Sequence, residues 1–596
     1  MDHTELLKRI DELEREIALL PQGSITVKRI NDKEYYYHRI NEKGKRRETY
    51  VDFDKVDELR AQVEKRKALA KALKELKRQL PKNTKPKKAE LQFSTYVRIG
   101  EQLDSMAATV AQYKKRDCYR AIHDYVYGEQ QDKVFILYGL RRTGKTTLIR
   151  QIILNMKPEE RQKTAFIQIK STDTLADINA DLRILEERGY QTIFIDEVTL
   201  MADFIEGAAL FSDIYAGSGM KLVLSGTDSL GFLFTKHEQL YDRCIMLHTT
   251  FIPYREFERV LGIKGIDNYI RYGGTMSISG ANYNESTFTT KQSTDEYIDS
   301  AIARNIQHSL KHYQDGGHFR QLYELYEKGE LTSAINRVVE DINHRFTKEV
   351  LTRTFTSHDL SLSARNLLHD REDPVDLYQV MDKEAVTATL KSMLDILDKE
   401  EQETEIEETH ATQIMEYLTM LDLLIEIELR YLPHVNQRSG ITVITQPGLR
   451  YAQATALVNS ILLDEQFSYV SALERRRILE RILSEIQGRM MEDIVLLETK
   501  LANPEKDVFQ LQFAVGEFDM VVANPMALTC DIYEIKHSKK IVPAQYRHLM
   551  DEEKCALTEH RFGKIVNRTV IYNGKTTQYE NINYVNVEEY LNRVSY

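Results

Sequence analysis

The spacing of apolar residues predicts two amphipathic helices at the beginning of the chain. Residues 2–20 carry Leu and Ile at alternating intervals of four and three, and residues 53–80 repeat a similar stripe with Val and Leu. Such a stripe is typical of a coiled coil, and two of them around a short insert predict an antiparallel hairpin. Neither helix is long enough to be stable alone. The Pro- and Lys-rich residues 81–88 are expected to be a linker.

Between these helices, short alternating runs predict a three-stranded meander over residues 24–30, 34–40 and 46–52. Basic residues and three consecutive tyrosines, 35–37, share this small sheet. Residues 60–90 then hold twelve Lys or Arg against three Glu. Aromatic and basic side chains on a sheet can contact nucleic acid. A solvated coiled-coil arm used for self-association is the favoured interpretation, and contact with nucleic acid is the alternative.

Downstream, a run of five apolar residues, 134–138, enters a glycine-containing loop that is followed by a helical pattern. The loop reads Gly139-Leu140-Arg141-Arg142-Thr143-Gly144-Lys145-Thr146-Thr147. It fits the phosphate-binding pattern G-x-x-x-x-G-K-[ST], in which backbone N–H groups and a helix N-terminus face an anion. Lys145 is expected to reach the β- and γ-phosphates and Thr146 to reach Mg²⁺. No guanine-reading N-K-x-D motif follows, so ATP is the expected ligand.

Further strands carry polar residues at their ends. Residues 193–195 form an apolar run that ends in Asp196 and Glu197, which is a Walker B pattern. Many strands end in acidic residues, but this pattern indicates an ATPase when it follows a phosphate loop by about fifty residues, as it does here. Asp196 would hold Mg²⁺ through water, and Glu197 would polarise the attacking water. The next strand ends in Ser225-Gly226-Thr227-Asp228-Ser229, a place for a polar sensor of the γ-phosphate. Arg243 would stabilise transition-state charge or, equally, form a surface salt bridge.

Taken in order, these motifs resemble prokaryotic AAA-type ATPases close to the archaeal ATPase group, over roughly residues 110–596. Two more segments extend the resemblance, Phe251-Ile252-Pro253-Tyr254-Arg255-Glu256-Phe257 and Tyr272-Gly273-Gly274. The resemblance implies an ATPase core followed by a winged helix and a nuclease-like fold. The group often has a Trp after the Walker B acids, whereas this chain has none, and Phe204 is the candidate substitute.

Residues 281–470 are expected to form a helical and winged-helix domain. Residues 411–424 are helical in pattern, and 425–432 and 441–445 would be the wing strands. The segment has few basic residues, which favours packing between protein surfaces over binding of DNA. The acidic run 400–408 is expected to be a solvated loop or helix face.

The C-terminal region contains a second group of candidate catalytic residues. Asp519 lies on a predicted strand, and Glu534 and Lys536 share one face of the next strand because strand side chains alternate. With Glu492 on an upstream helix, this is the pattern of PD-(D/E)XK nucleases. Glu492, Asp519 and Glu534 would bind Mg²⁺, and Lys536 would orient or activate a water molecule. The alternatives are a degenerate nuclease-like fold kept for binding and a surface Glu–Lys pair.

Composition sets the broad class. At 596 residues the chain is too long for one core, and 42% hydrophobic and 29% charged residues describe a globular protein. We expect no membrane-spanning helix and no signal peptide. Four dispersed cysteines predict reduced thiols and a cytoplasmic location. The net charge of −11 argues against a surface that is basic throughout, but allows a local basic patch.

The sequence therefore predicts a multidomain α/β protein. We expect a coiled-coil arm with a β insert at 1–91, an AAA-type P-loop ATPase with a parallel sheet at 92–280, helical and winged-helix structure at 281–470, and a PD-(D/E)XK-like α/β domain at 471–596. ATP and Mg²⁺ are the expected cofactors, and DNA, a second copy of the chain or another protein are the candidate partners. The favoured function is an ATPase that controls a nuclease-like domain. A nucleotide-dependent switch or scaffold is the alternative, and a processive motor is weaker because helicase motifs are missing.

Overall fold

The computed structural model divides the chain into two compact units, Met1–Gln92 and Phe93–Tyr596. It describes residues 20–30, 33–42, 45–51, 53–79, 92–130, 132–227, 229–249, 251–274, 291–303, 319–356, 408–432, 438–463 and 471–594, with Leu13, Ile17, Ile306, Leu310, Glu465 and Ser468 singly. Most of the first predicted arm helix, the linker 81–88, Asp228 and the acidic residues 400–407 lie outside the described residues.

The first unit contains a small antiparallel sheet and a long helix. Its elements are β1 (Ser24–Ile30), β2 (Lys33–Glu42), β3 (Lys45–Val51) and α1 (Phe53–Gln79). The sheet order is β1-β2-β3, and all four elements lie close to their predicted positions. Val56 and Val63, two helical turns apart, are both buried, and the Arg66 guanidinium donates to the carbonyls of Ile17 and Leu20. The stripe of α1 therefore packs inward, as its spacing predicts.

A six-stranded sheet forms the centre of the phosphate-loop region. Its strands are β4 (Tyr96–Arg98), β5 (Val134–Tyr138), β6 (Thr164–Gln168), β7 (Thr192–Asp196), β8 (Lys221–Gly226) and β9 (Cys244–His248), in the order β4-β6-β7-β8-β5-β9. All neighbours are parallel except β4, which pairs with β6 as an antiparallel edge strand. Because β8 lies between β5 and β7, its carboxyl end separates the phosphate loop from Asp196.

Helices cover both faces of this sheet, as a parallel sheet requires. They are α2 (Glu101–Ala108), α3 (Tyr119–Tyr127), α4 (Lys145–Asn155), α5 (Pro158–Arg161), α6 (Leu175–Glu187), α7 (Phe204–Gly207) and α8 (Ser229–Glu238). Two further helices, α9 (Tyr254–Leu261) and α10 (Ile266–Tyr272), follow the sheet and pack in a different hydrophobic cluster. β5 is buried on both faces, Ile136 in one hydrophobic cluster and Leu137 in the other. This double burial explains the uninterrupted apolar run of the sequence.

Residues 291–463 are mostly helical where they are described, apart from two strands within 424–444. The helices are α11 (Lys291–Ile298), α12 (Arg320–Glu327), α13 (Leu331–Thr356), α14 (Glu408–Met420) and α15 (Pro447–Leu463). One hydrophobic cluster unites them and includes Leu140 of the phosphate loop, beside Tyr297 and Leu449. Leu140 of the phosphate loop therefore packs against this helical region.

An eight-stranded mixed sheet completes the second unit. Its strands are β10 (Leu424–Tyr431), β11 (Arg438–Ile444), β12 (Asp507–Gln512), β13 (Glu517–Asn524), β14 (Thr529–Lys536), β15 (Lys564–Tyr572), β16 (Thr577–Tyr579) and β17 (Ile582–Asn586). The order is β11-β10-β12-β13-β14-β15-β17-β16. The 31-residue helix α16 (Ala472–Ala502) shares a hydrophobic cluster with this sheet, and α17 (Glu552–Phe562) and α18 (Val587–Arg593) follow.

This sheet corrects the predicted winged helix and its boundary at residue 470. The hairpin β10–β11, expected to be a pair of wings, extends the C-terminal sheet because β10 pairs in parallel with β12, with Leu429 opposite Gln510. The pattern of alternation predicts a strand but does not say which sheet it joins. Pairing with β12 satisfies backbone groups that an isolated wing would leave exposed.

None of the helices within the described residues is both long enough and apolar enough to cross a membrane.

A buried ion pair ties α15, α16 and β11 together. The Arg450 guanidinium pairs with Asp493 and donates to the Thr442 carbonyl at 2.9 Å, and the two charged side chains are only 3% and 5% exposed. Arg450→Met would leave the Asp493 carboxylate buried without this partner, so we expect a loss of about 3–5 kcal/mol in the free energy of unfolding.

The matched control is Arg476→Met, because Arg476 forms an exposed pair with Glu480 on the same helix α16. Removing that pair should cost about 0.3–0.5 kcal/mol. Thermal unfolding of both variants measures the difference, and equal midpoints would contradict the structural role assigned to Arg450.

Candidate functional site

The phosphate loop adopts backbone angles that its glycines permit. Gly139 has φ of +132° and Gly144 has φ of +90°, both in the region that favours glycine. A Cβ on Gly139 would lie 2.1 Å from the Thr249 carbonyl oxygen, so no larger residue fits there. Gly144 is directly followed by α4, and the N–H groups of that helix terminus face the loop.

Lys145 is buried at the start of α4. Its ammonium donates to the carbonyl oxygens of Gly139 at 2.8 Å and Leu140 at 2.7 Å. Burial lowers the pKa of Lys145 to about 8, although the nearby Glu197 and Asp196 carboxylates oppose the shift. Carbonyl oxygens carry no net charge and balance the positive charge of the ammonium only weakly, so an anion in the loop would be a stronger partner for this side chain.

Asp196 at the end of β7 lies beside Thr146 and Ser225. Thr146 Oγ1 donates to Asp196 Oδ2 at 2.9 Å, and the Ser225 hydroxyl donates to the other carboxylate oxygen. The strand order produces this meeting, since β8 delivers Ser225 between the loop and β7. Thr146 and Asp196 together offer the hydroxyl and carboxylate oxygens that Mg²⁺ prefers, so they fit the predicted ion.

Glu197 follows in a left-handed conformation with φ of +62°, which is uncommon for a residue other than glycine. Its carboxylate accepts a hydrogen bond of 3.2 Å from Thr227 Oγ1, at the end of β8. Burial and the adjacent Asp196 charge raise the pKa of Glu197. A carboxylate with a raised pKa is a better proton acceptor, which suits the predicted role of polarising water.

The other loop residues face neighbouring elements. Thr143 is buried, and its hydroxyl donates to the Leu140 carbonyl at 2.9 Å. Arg141 donates to the Ser300 carbonyl at 3.3 Å, and the Arg142 guanidinium lies 5.6 Å from the centre of the Tyr297 ring. Both arginines of the loop therefore contact the segment at and after α11. Thr147 occupies the first turn of α4.

The structure corrects the transition-state role suggested for Arg243. The Arg243 carbonyl accepts from Val134 N–H, which places Arg243 beside the amino end of β5. The phosphate loop leaves the carboxyl end of that strand, five residues or about 16 Å away. Arg243 pairs instead with Asp213 at 2.6 Å, and both side chains are half exposed. The surface salt bridge was the correct alternative.

In the C-terminal sheet, Asp519, Glu534 and Lys536 meet. The register pairs Met520 with Tyr533, so Asp519 lies opposite Glu534 on the adjacent antiparallel strand. The Lys536 ammonium is 2.7 Å from Asp519 and 2.6 Å from Glu534. Asp519 also accepts from the Ile535 N–H at 2.7 Å.

The two carboxylates of this cluster, Asp519 and Glu534, have pKa values shifted in opposite directions. Burial alone would raise the pKa of Asp519, but Lys536 and the Ile535 N–H hold it below its usual range. Burial and the Asp519 charge raise the pKa of Glu534 well above its usual range. Glu534 Oε1 is buried and has no hydrogen-bond partner among the residues that the structure describes. A proton or a cation at that oxygen would relieve the conflict.

Glu492 belongs to the same neighbourhood but has a different partner. The Arg489 guanidinium, one helical turn earlier on α16, pairs with it at 2.6 Å. Burial and the Asp519 charge nevertheless raise the pKa of Glu492 to about 8. Arg489 is not among the predicted site residues, although its i, i+3 spacing from Glu492 in the sequence is a signal for such a pair.

Within the described part of the chain, no three His, Cys, Asp or Glu side chains lie close enough together to bind one metal ion. The predicted trio of Glu492, Asp519 and Glu534 is therefore not assembled. Asp519 and Glu534 alone still fit Mg²⁺, which commonly uses one or two carboxylates and keeps several waters. The unpartnered oxygen of Glu534 supports that fit.

The arm presents its own polar surface. Tyr37 lies opposite Thr26 and Tyr50 in the sheet, so these side chains share one face. The Lys28 ammonium is 4.6 Å from the centre of the Tyr37 ring, and the Tyr37 and Tyr50 rings are 5.9 Å apart. Tyr50 is 53% exposed. The arrangement has the aromatic and basic character that the sequence predicts, and its partner stays a prediction.

Comparisons with known proteins address part of these predictions. Residues 131–258 match a family model described as an AAA domain, and residues 3–61 match a domain of unknown function. No curated protein matches the chain. A solved structure, that of the Aeropyrum pernix ORC1 protein in complex with DNA, aligns with 63% of this chain and with 100% of the ORC1 chain. The sequence identity is 12% and the TM-score is 0.20, so this likeness is too weak to carry an argument. Residues 131–258 are therefore similar in sequence to an AAA domain, and the parallel sheet of this region is consistent with a P-loop ATPase fold.

Proposed function

We propose that the protein hydrolyses ATP at its phosphate loop and that this reaction controls a C-terminal site directed at phosphodiesters. The meeting of Lys145, Thr146, Asp196 and Glu197 at one end of the parallel sheet carries the first part of the proposal. The convergence of Asp519, Glu534 and Lys536 carries the second.

Each residue of the ATP site has a distinct task. The loop N–H groups and Lys145 bind the β- and γ-phosphates, and Thr146 and Asp196 would hold Mg²⁺. The ion would supply charge stabilisation on the phosphate oxygens. Glu197 orients the attacking water and accepts its proton, and Thr227 fixes the Glu197 carboxylate by a hydrogen bond. Ser225 keeps Asp196 in position from the other side.

The ATP site is tested by steady-state turnover. Lys145→Ala removes a buried cation from the phosphates, and we expect turnover to fall by about 10²–10³-fold. Glu197→Gln removes the proton acceptor and should lower turnover by about 10²–10⁴-fold while nucleotide still binds. Arg243→Ala is the control and should change turnover by less than about twofold, since a half-exposed surface pair contributes little. Unchanged turnover in Glu197→Gln would refute the assignment of the base.

At the C-terminal site, Asp519 and Glu534 would hold Mg²⁺, and the ion would stabilise charge on the scissile phosphate. The Lys536 ammonium donates a hydrogen bond to Asp519, pairs with Glu534 and can turn toward an attacking water or a phosphate oxygen. Arg489 supplies a second cation beside Glu492. The alternative function, a switch whose nuclease-like fold only binds nucleic acid or protein, is favoured by one observation. Lys536 is already engaged by both carboxylates.

Cleavage of DNA and RNA in Mg²⁺ or Mn²⁺ decides between these functions. Asp519→Asn and Lys536→Met should each lower cleavage by about 10²-fold or more, because the first weakens a carboxylate that would hold Mg²⁺ and the second removes the cation that can face the attacking water or the phosphate. Asp531→Asn is the matched control, since Asp531 lies on the same strand β14 but on the other face, where it accepts from Asn567 at 2.8 Å. Absence of cleavage by the wild type in the presence of ATP would support the binding-only alternative, and cleavage that survives in both site variants would refute the site.

Nucleic acid is also the proposed partner of the arm face formed by Lys28, Tyr37 and Tyr50. Two tyrosine rings and a lysine on one face suit a single strand, because bases stack on aromatic rings and phosphates pair with cations. The described arm supports the charge match, since α1 carries nine Lys or Arg against five Asp or Glu.

Binding of a labelled single strand, measured by anisotropy in an Asp519→Asn background, tests the arm. Tyr50→Ala should weaken binding by about 1–3 kcal/mol, the usual value of one stacked base. Tyr36→Ala removes the same kind of side chain from the opposite face of β2 and is the control. Equal affinities, accompanied by a smaller oligomer in light scattering, would favour self-association through the arm.

A further inference from the structure

The first turn of α9 lies between the phosphate loop and α16. On the loop side, the buried Glu256 carboxylate accepts from Arg116 Nε at 2.6 Å. The same guanidinium donates to the carbonyls of Thr143 at 2.7 Å and Phe251 at 3.0 Å. Arg116 is 7% exposed, so water competes little for these bonds. One rigid, planar group thus joins the loop to both ends of the segment 251–256.

On the other side, this turn is bonded to the helix that carries Glu492. The Tyr254 N–H donates to the Glu498 carboxylate at 2.7 Å, and both residues are fully buried. Glu498 lies six residues after Glu492 on α16, about 9 Å along a rigid helix. A displacement of Tyr254 is therefore expected to move the Glu492 end of α16 as well.

A second bond connects the same region to β14. Asp267, in the first turn of α10, pairs with His537 at 2.7 Å, directly after Lys536. Tyr269 of α10 also donates to the Ile252 carbonyl at 2.8 Å, so α10 and the segment before α9 are held together. Helices α9 and α10 consequently contact both elements that bring the C-terminal charges together.

The loop end of this chain of contacts is the part that a nucleotide must reorganise. Phosphates compete with the carbonyls of Gly139 and Leu140 for the Lys145 ammonium. Thr143 is hydrogen-bonded to the Leu140 carbonyl and through its own carbonyl to Arg116. A change at Leu140 is thus passed to Thr143 and Arg116 through two direct hydrogen bonds.

We infer that Arg116 is a positioning residue of the phosphate loop and that the Glu256–Tyr254 turn couples nucleotide binding to the position of α16. The inference rests on the proposed function, because it assigns the route by which the ATP site regulates the C-terminal site. Coupling of this kind is reciprocal, so a ligand at the C-terminal site changes the affinity for nucleotide by the same factor.

Hydrogen exchange of the full chain, with and without a saturating slowly hydrolysed ATP analogue and Mg²⁺, tests the coupling. In the wild type, the analogue should slow exchange in peptides covering 139–147 and 486–500, the latter by about fivefold or more, the lower end of usual coupling energies. Arg116→Lys keeps the charge but cannot hold three acceptors in one plane. In Arg116→Lys, the ATP analogue should still slow exchange at 139–147 but should no longer slow exchange at 486–500. Arg120→Lys is the control, since Arg120 forms an exposed pair with Asp124 on α3.

The α16 end is tested separately. Glu498→Met removes the acceptor of the Tyr254 N–H, so the ATP analogue should no longer slow exchange at 486–500. Glu498→Gln keeps an acceptor, so the analogue should still slow exchange there. Burial raises the pKa of Glu498 to about 7, so a neutral amide is a close substitute for this carboxyl. Rescue by glutamine separates coupling from a general loss of packing, and near-UV circular dichroism checks that each variant is folded.

The outcomes are distinct. Protection at 139–147 without any change at 486–500 in the wild type overturns the coupling but leaves the ATP site intact. Absence of protection at both places overturns the nucleotide site and the coupling together. Full protection at 486–500 in folded Arg116→Lys and Glu498→Met refutes the route through Arg116 and Tyr254.

Discussion

Buried carboxylates need partners, and this requirement determines how the elements of the second unit are held together. An ionised carboxylate away from water is costly unless a cation or hydrogen-bond donors surround it. Asp196, Glu256, Asp493, Glu498 and Asp519 are all buried, and each is bonded to a residue of another element. Every such bond fixes one element against another more directionally than apolar packing can.

Compensation of buried charge differs from one carboxylate to the next. Both Glu256 oxygens accept a hydrogen bond, one from Arg116 and the other from the Asp117 N–H. Burial raises the pKa values of Asp493, Glu492 and Glu534 in spite of neighbouring cations, and one oxygen each of Asp493 and Glu534 has no hydrogen-bond partner among the described residues. Sites that retain uncompensated charge are candidates for proton transfer or cation binding.

The sequence predicted elements and local chemistry well and long-range pairing poorly. The phosphate loop and the Asp196-Glu197 pair follow from spacing alone, because glycine freedom and strand ends are local properties. The β10–β11 hairpin was assigned to the wrong fold because alternation predicts a strand without its neighbour. Arg243 was open to two roles because sequence does not say which end of β5 it lies beside. Arg116 was missed since its three partners lie 27, 135 and 140 residues away.

Two lysines, Lys145 buried and Lys536 32% exposed, show how the same side chain is prepared for opposite purposes. Lys145 faces carbonyls, and burial lowers its pKa to about 8, so its charge is poorly satisfied until an anion enters the loop. Lys536 faces two carboxylates, and although burial alone would lower its pKa, Asp519 and Glu534 raise it. A phosphate therefore gains a cation at the first site without displacing another anion. At the second site it must compete with Asp519 and Glu534, unless a divalent cation binds these carboxylates and frees the ammonium. The C-terminal site is thus expected to depend on a metal ion for substrate binding as well as for chemistry.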